Sequence, residues 1–206
     1  MSRADRGVVE YVVGCLPPSP ARVLEVGAGS GDLAADLRDA GHDVLAIDPA
    51  ADGGDVRPVP LLELDASPAS FDAAVAVVSL HHVEPLEQSC AHLATLVRPG
   101  GTLVVDEFDV AAFDVAAADW LCARWREVGR EASHDAASMV GDLRDHLHPV
   151  ERIRAVLEPA FALSAPARGP YLHRWYLTPG QLTPEEHAIA AGRIPAVGVR
   201  FTGVRR

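Results

Sequence analysis

The chain has 206 residues, 49% of them hydrophobic and 23% charged. That is enough apolar material for one buried core, and too little charge for a chain that is mainly disordered. With 18 Lys and Arg against 29 Asp and Glu, the formal net charge of -11 disfavours nucleic acid and anionic membrane as partners, because both need a positive face. Cys15, Cys90 and Cys122 are widely spaced and form no CxxC, so no disulfide framework is expected. The first residues hold no signal-like apolar segment, and no run reaches the ~18 apolar residues of a membrane span. A reducing cytoplasm is the expected setting.

Residues 8–16 read as a short helix stopped by Pro17, Pro18 and Pro20. Residues 22–26 (RVLEV) form a β-rich run that ends at once in GAGSG, residues 27–31. A helix over 32–40 follows, with Leu33 and Leu37 at i,i+4 and Gly41 where a C-cap belongs. Residues 44–47 make a second strand, closed by Asp48-Pro49. Strand, glycine turn, helix and strand form a βαβ unit. Residues 51–70 are rich in Gly, Pro and Asp, and only 56–64 has room for a third strand. The unbroken apolar run 73–78 predicts a strand buried on both faces, opening into SLHHVEP. Leu86, Cys90, Leu93 and Val97 repeat at i, i+4, i+7 and i+11, an amphipathic helix. A turn at 98–101 leads into a strand over 102–105, which ends at Asp106-Glu107.

From 108 to 150 the alternation lapses. Residues 114–130 read as a helix with Leu121, Trp125 and Val128 on one face, while 131–148 carry His134, His146 and His148 with little periodicity. Pro149 suits the first position of a helix to about Leu157, with His148 placed as its cap. A strand begins at Phe161 and reaches toward Trp175, a short helix covers 184–191, and a final strand covers 197–204, where Arg200, Arg205 and Arg206 read as a solvated end. Strands alternating with helices imply a mostly parallel sheet covered on both faces, with ligands beyond the strands' carboxyl ends. The loops that start at Gly27, Asp48, Ser79 and Asp106 are therefore expected to meet.

Gly27, Gly29 and Gly31 permit positive φ and close approach of a ligand at a helix N-terminus. Asp32 stands where a dinucleotide loop wants its third glycine, and Glu25 before the loop suits a cationic amine while repelling a pyrophosphate. Asp48 ends the second strand, where a carboxylate can accept both hydroxyls of a ribose. This E-x-G-x-G-x-G with an acidic second strand end resembles the class I S-adenosylmethionine-dependent methyltransferases. FDAAVAVVSLHHV (71–83) and LVRPGGTLVVDEF (96–108) are similar to that family's fourth-strand segment and following block, and AAGRIPAVGVRFTGVR (190–205) more weakly to its last helix and strand. The nearest flavour is the small-molecule group with a Leu-His-His segment.

The resemblance implies one α/β domain over 1–206: a doubly wound, Rossmann-like, seven-stranded, mostly parallel sheet with an antiparallel last strand, and a helical cover over 108–150. It implies S-adenosylmethionine as cofactor and S-adenosylhomocysteine as product. Glu25, Gly27, Ala28 and Gly29 would surround the methionine part, with Gly31 shaping the turn. Asp48 would hold the ribose, Pro49 would lie by the adenine, and Ser79 and Leu80 would pass the sulfonium side. The acidic residue that the family often has after its third strand is absent, so backbone groups of Leu61 and Leu62 would hold the adenine instead. His81 or His82, bordering the methyl group, and Glu107 are the candidates to take an acceptor's proton. For Glu107 the bland alternative is partnership with an arginine, and for the two histidines it is a loop-shaping role. His134, His148 and Trp120 are the substrate-side candidates. His146-x-His148 with Glu151 has no diagnostic metal spacing, so no metal is expected. The function read from these residues is methyl transfer to an oxygen or nitrogen of a small molecule. The alternative is a chain of the same fold that binds the cofactor without methylating.

Overall fold

The computed structural model of the chain describes residues 5–130, 135–175, 177 and 180–206. In chain order its elements are α1 (Arg6–Cys15), β1 (Arg22–Val26), α2 (Asp32–Asp39), β2 (Asp43–Ile47), β3 (Val56–Arg57), β4 (Phe71–Val77), α3 (Leu86–Leu96), β5 (Val97–Phe108), α4 (Val115–Glu127), α5 (Ala136–His146), α6 (Val150–Leu157), β6 (Phe161–Leu163), β7 (Ala167–Gly169), α7 (Leu182–Ala190) and β8 (Gly198–Arg205). The strands form one sheet in the order β3-β2-β1-β4-β5-β8-β6, and β7 pairs with β8 beside that path. β1 to β5 pair in parallel, and β8 runs antiparallel to β5, β6 and β7. The seven strands along the path, with the last one antiparallel, match the expected sheet; short β7 is additional.

Alternation along the strands divides the core. Val23, Ala73, Val75 and Val104 face one side and pack on Val8 and Val12 of α1 and Leu33 and Leu37 of α2. Leu24, Ala74, Leu103 and Val105 face the other side and pack on Leu86 and Leu93 of α3 and Ile153 and Leu157 of α6. Each fully buried Leu or Val contributes roughly 1.5–3 kcal/mol. A third cluster forms beyond the carboxyl ends of the sheet: Phe108, Phe113, Leu121, Val140, Leu172, Ala188 and Val197 join α4, α5 and α7 into a cover. Sequence order reverses between β1 and β4, which places a crevice there.

Three local expectations are corrected. Residues 98–101 are not a turn before a strand but the bulged start of β5: Val97 pairs with Phe71, and the register shifts before Ala73 meets Thr102. Residues 136–146, without clear periodicity, still form α5, because the Asp135 side chain caps it at Ser138 N and Ala136 and Val140 suffice to dock it. The strand from Phe161 stops at Leu163, and the chain returns as β7 before the 3-10 turn Leu172–Arg174. Among the described residues no helix is long and apolar enough to cross a membrane.

Candidate active site

Two cavities adjoin at the crevice, and Gly27 and Val78 line both. The first, about 440 Å³, is lined by Asp48, Pro49, Leu61, Ser79 and His82 among others. The second, about 250 Å³, is lined by Glu25, Ala28, Ser30 and Asp32. Another cavity of about 610 Å³, lined by Asp109, Arg154 and Arg168, holds none of the expected catalytic, cofactor-side or substrate-side residues, and of those weighed for a metal only Glu151.

The glycine loop leaves this space open. Gly27 sits at φ 71°, and a Cβ there would meet the Ser79 Cβ at 2.3 Å. Its N–H and that of Ala28 donate to Ile47 O, at 2.8 and 3.0 Å. Gly31, at φ 80°, turns the chain into α2 against Val56 and lines neither cavity, nor does Gly29. Asp48 ties the loop to the second strand: Oδ2 accepts from Gly29 N at 2.9 Å and Oδ1 from Ala50 N at 2.8 Å. A carboxylate oxygen has two acceptor sites, so Asp48 keeps capacity for a diol.

Glu25 is 3% exposed, and its Oε2 has no hydrogen-bond partner among the described residues. Burial pushes its carboxyl up to about 8, against the pull of the Arg38 guanidinium. A buried carboxyl facing a cavity with an oxygen unpartnered fits a cationic ligand group. Val78, where the cavities meet, lies at φ 51°. A β-branched residue there costs on the order of 1–3 kcal/mol, a strain typical of ligand sites.

The segment after β4 is stapled from behind. Glu107, fully buried, accepts Ser79 N at 2.9 Å and Leu80 N at 2.6 Å on Oε1, and His81 Nδ1 lies 2.5 Å from Oε2. These bonds fix the 3-10 turn Leu80–His82. Adjacent strand residues point to opposite faces. Asp106 therefore faces α1, and Asp106, not Glu107, is the arginine partner: Arg174 Nη1 lies 3.2 Å from both its oxygens and Arg200 Nε 2.8 Å from Oδ2. Arg200 and Arg205, expected to be solvated, are thus bonded inward, Arg205 to Ala94 O at 2.7 Å. Glu107 and His81, which is 4% exposed, line neither cavity, whereas His82 does. Partial burial and the neighbouring His81 hold the His82 imidazole below the usual histidine range.

The remaining candidates divide. Leu61 lines the larger cavity, but exposed Leu62 does not, because the Leu61–Glu63 turn sends it outward. Leu80 is buried in the core. His148 is 7% exposed, and its Nε2 lies 3.2 Å from Val83 O and 3.0 Å from Glu84 Oε1. Its backbone N–H donates to His81 O, so it pins the 79–84 segment instead of capping α6, whose N-cap is Pro149. Trp120 packs in the cover under Arg124 and lines none of the cavities described. His134 lies outside the described residues. Among those described, no three His, Cys, Asp or Glu side chains could hold a metal ion, and His146 Nδ1 faces Asp142 O at 2.6 Å. Sequence reading missed Val78, Ser89 and Arg174. The signal for Ser89 is a polar residue on the apolar stripe of α3; it is 1% exposed, lines the 440 Å³ cavity, and its Oγ has no hydrogen-bond partner among the described residues.

Comparison with known proteins agrees with this fold. The family described as "Methyltransferase domain" matches residues 3–157. A demethylmenaquinone methyltransferase of Renibacterium salmoninarum is 33% identical over 122 residues, 52% of this chain and 48% of that protein. The chain thus spans about half the length of this curated relative. Among solved structures, an S-adenosylmethionine dependent methyltransferase from Mesorhizobium loti superposes with TM-score 0.61 at 19% identity, covering 97% of this chain and 99% of that one. The 1,6-didemethyltoxoflavin-N1-methyltransferase of Burkholderia thailandensis, with 1,6-didemethyltoxoflavin and S-adenosylhomocysteine bound, gives TM-score 0.54 at 19% identity, covering 97% of this chain and 75% of that one.

Proposed function

This chain belongs to the class I S-adenosylmethionine-dependent methyltransferase domain family, and we propose that it methylates an oxygen or nitrogen of a small molecule, within the group marked by the Leu-His-His segment. The observation that carries the proposal is Glu25: a buried carboxyl with one unpartnered oxygen, beside a glycine loop whose missing side chains leave the cleft open. In this reading Glu25 meets the cofactor's ammonium, Asp48 its ribose hydroxyls, and Leu61 and Pro49 flank its adenine. When bound, the cofactor supplies an electrophilic methyl group. The chain's task is then to hold an acceptor atom in line, which can supply up to roughly 7–11 kcal/mol. His82, on the cavity wall and held in its neutral form, takes the acceptor's proton as the new bond forms. Glu107 and His81 act through their hold on the turn that carries His82.

The test is a thermal and calorimetric titration with S-adenosylmethionine, S-adenosylhomocysteine and NAD in parallel. Ligand at ~100 times its Kd stabilises by about 2.7 kcal/mol, which for a chain of this size raises Tm by very roughly 5–10 °C. The expected result is a response to the two sulfur nucleosides and none to NAD. No response to either nucleoside at millimolar concentration overturns the proposal.

A further inference from the structure

Arg174 stands where a third cavity joins the site. This cavity, about 370 Å³, shares Asp5 and Arg174 with the one that Glu25 lines, and its wall includes Asp106, His173 and Arg200. Arg174 arrives on the turn Leu172–Arg174, which repeats the build of Leu80–His82. The residue before each turn has nearly the same backbone: φ -147°, ψ -35° at Tyr171 and φ -135°, ψ -39° at Ser79. Each turn is held by a fully buried glutamate from a distant element. Glu185 of α7 accepts Tyr171 N at 2.7 Å and Leu172 N at 2.8 Å on Oε1. Its Oε2 accepts His173 N at 2.7 Å and lies 2.8 Å from His173 Nδ1. Burial opposes ionisation of Glu185, yet these bonds hold its carboxyl below the usual carboxylate range. In both turns the third residue, His82 or Arg174, is carried to a cavity wall.

The charge balance at Arg174 favours an anion. Its Nη1 and the Nε of Arg200 share one buried carboxylate, Asp106, so two cations meet one anion. The Arg174 Nε is buried and has no hydrogen-bond partner among the described residues. Arg168, on the same cavity, is already bonded to Asp109 at 2.7 Å. Of the other acidic groups on this wall, Asp5 accepts Val8 N at the start of α1 and lies 3.9 Å from His173 Nε2, not on Arg174, and Glu186 is exposed.

We propose that Arg174 is the carboxylate-binding residue of the site, with Glu185 as its positioning residue. A planar guanidinium edge matches the two oxygens of a carboxylate. Two sources can supply that group: the α-carboxylate of the cofactor, through the cavity shared with Glu25, or an acidic acceptor in the 370 Å³ cavity. The proposal rests on the methyl-transfer reading above.

The experiment is calorimetry on the whole chain, wild type and Arg174→Gln, with three probes: S-adenosylhomocysteine, 5′-methylthioadenosine (a related nucleoside without the amino-acid group), and benzoate against benzamide on protein saturated with S-adenosylhomocysteine. If the source is the cofactor, the variant binds S-adenosylhomocysteine about tenfold or more weaker and methylthioadenosine as before. If the source is the acceptor, both nucleosides bind as before, while a wild-type preference of about tenfold for benzoate over benzamide disappears. In either case Arg174→Lys recovers part of the loss, and Glu185→Gln weakens the same probe without touching methylthioadenosine. The proposal is overturned if the variant binds both nucleosides normally and either wild type shows no benzoate preference or the variant keeps it, or if both nucleosides weaken equally. Wild type that binds neither nucleoside sinks the methyl-transfer reading itself, a distinct outcome.

Discussion

A carboxyl buried as deeply as Glu25 stays mostly protonated at pH 7 until a cation reaches it. Its folded value of about 8 lies above the ordinary 4.5, so the folded chain holds a proton that the unfolded chain has lost. The linked stability is present below about 4.5 and is lost as pH rises toward 8. Glu25→Gln removes that loss: the unliganded variant is expected to be more stable than wild type at pH 8, on the order of 2–4 kcal/mol, while binding S-adenosylhomocysteine about tenfold or more weaker. Chemical denaturation and calorimetry measure the two effects. The same linkage predicts proton release when wild type binds the nucleoside at pH 7, read as a dependence of the binding enthalpy on buffer. An enthalpy identical in phosphate and Tris would count against Glu25 as the ammonium partner. For transfer itself, His82→Gln is expected to lower kcat by about 10²–10⁴-fold on an acceptor that must lose a proton, with nucleoside affinity kept.

At the scale of elements, the site depends on contacts between strand ends and the turns beyond them. The β1–α2 loop and the 79–83 segment approach so closely that Gly27→Ala must push Ser79 away and hold a side chain at φ 71°. Loss of measurable S-adenosylhomocysteine binding is expected, with destabilisation of about 2–4 kcal/mol. Glu107→Ala leaves Ser79 N and Leu80 N without their acceptor in a buried place. Each unpaired group costs about 1–3 kcal/mol, and a marked fall in Tm together with loss of binding is the expected result. Retained binding would mean that the turn holds its shape without the staple.

The whole molecule carries two tasks on separable packing. The sheet and its flanking helices form two clusters that hold the crevice, and the cover has a core of its own beyond the sheet ends. Within the cover Phe108 stacks on Tyr171 at 5.1 Å, and Trp125 Nε1 donates to Trp175 O at 2.9 Å. Leu121→Ala, at a fully buried position of α4, is expected to cost about 2–5 kcal/mol. Amide exchange should quicken in α4 and α5 more than in β1 and β4, and nucleoside affinity should change little. Uniform acceleration across the sheet would show the cover and sheet opening as one unit.

The sequence by itself determined the sheet and the polar ends of its strands. Apolar runs over 22–26, 44–47 and 73–78 are strands in any context that buries them, and glycines followed by Asp32 can only open a helix from a tight turn. Glu25, Asp48 and Ser79 were legible because strand ends in a parallel sheet meet in one crevice whatever the loops do. Tertiary structure alone put His82 and not His81 on the cavity wall, since a buried Glu107 takes the His81 ring. It also decided the different faces of Asp106 and Glu107, which depend on where β5 is bulged. Arg174 was out of reach for the same reason: it is set by Glu185, eleven residues on in the chain and placed beside it only by the docking of α7. Local pattern fixes what repeats along the chain, and a side chain's partner across the fold leaves no period to read.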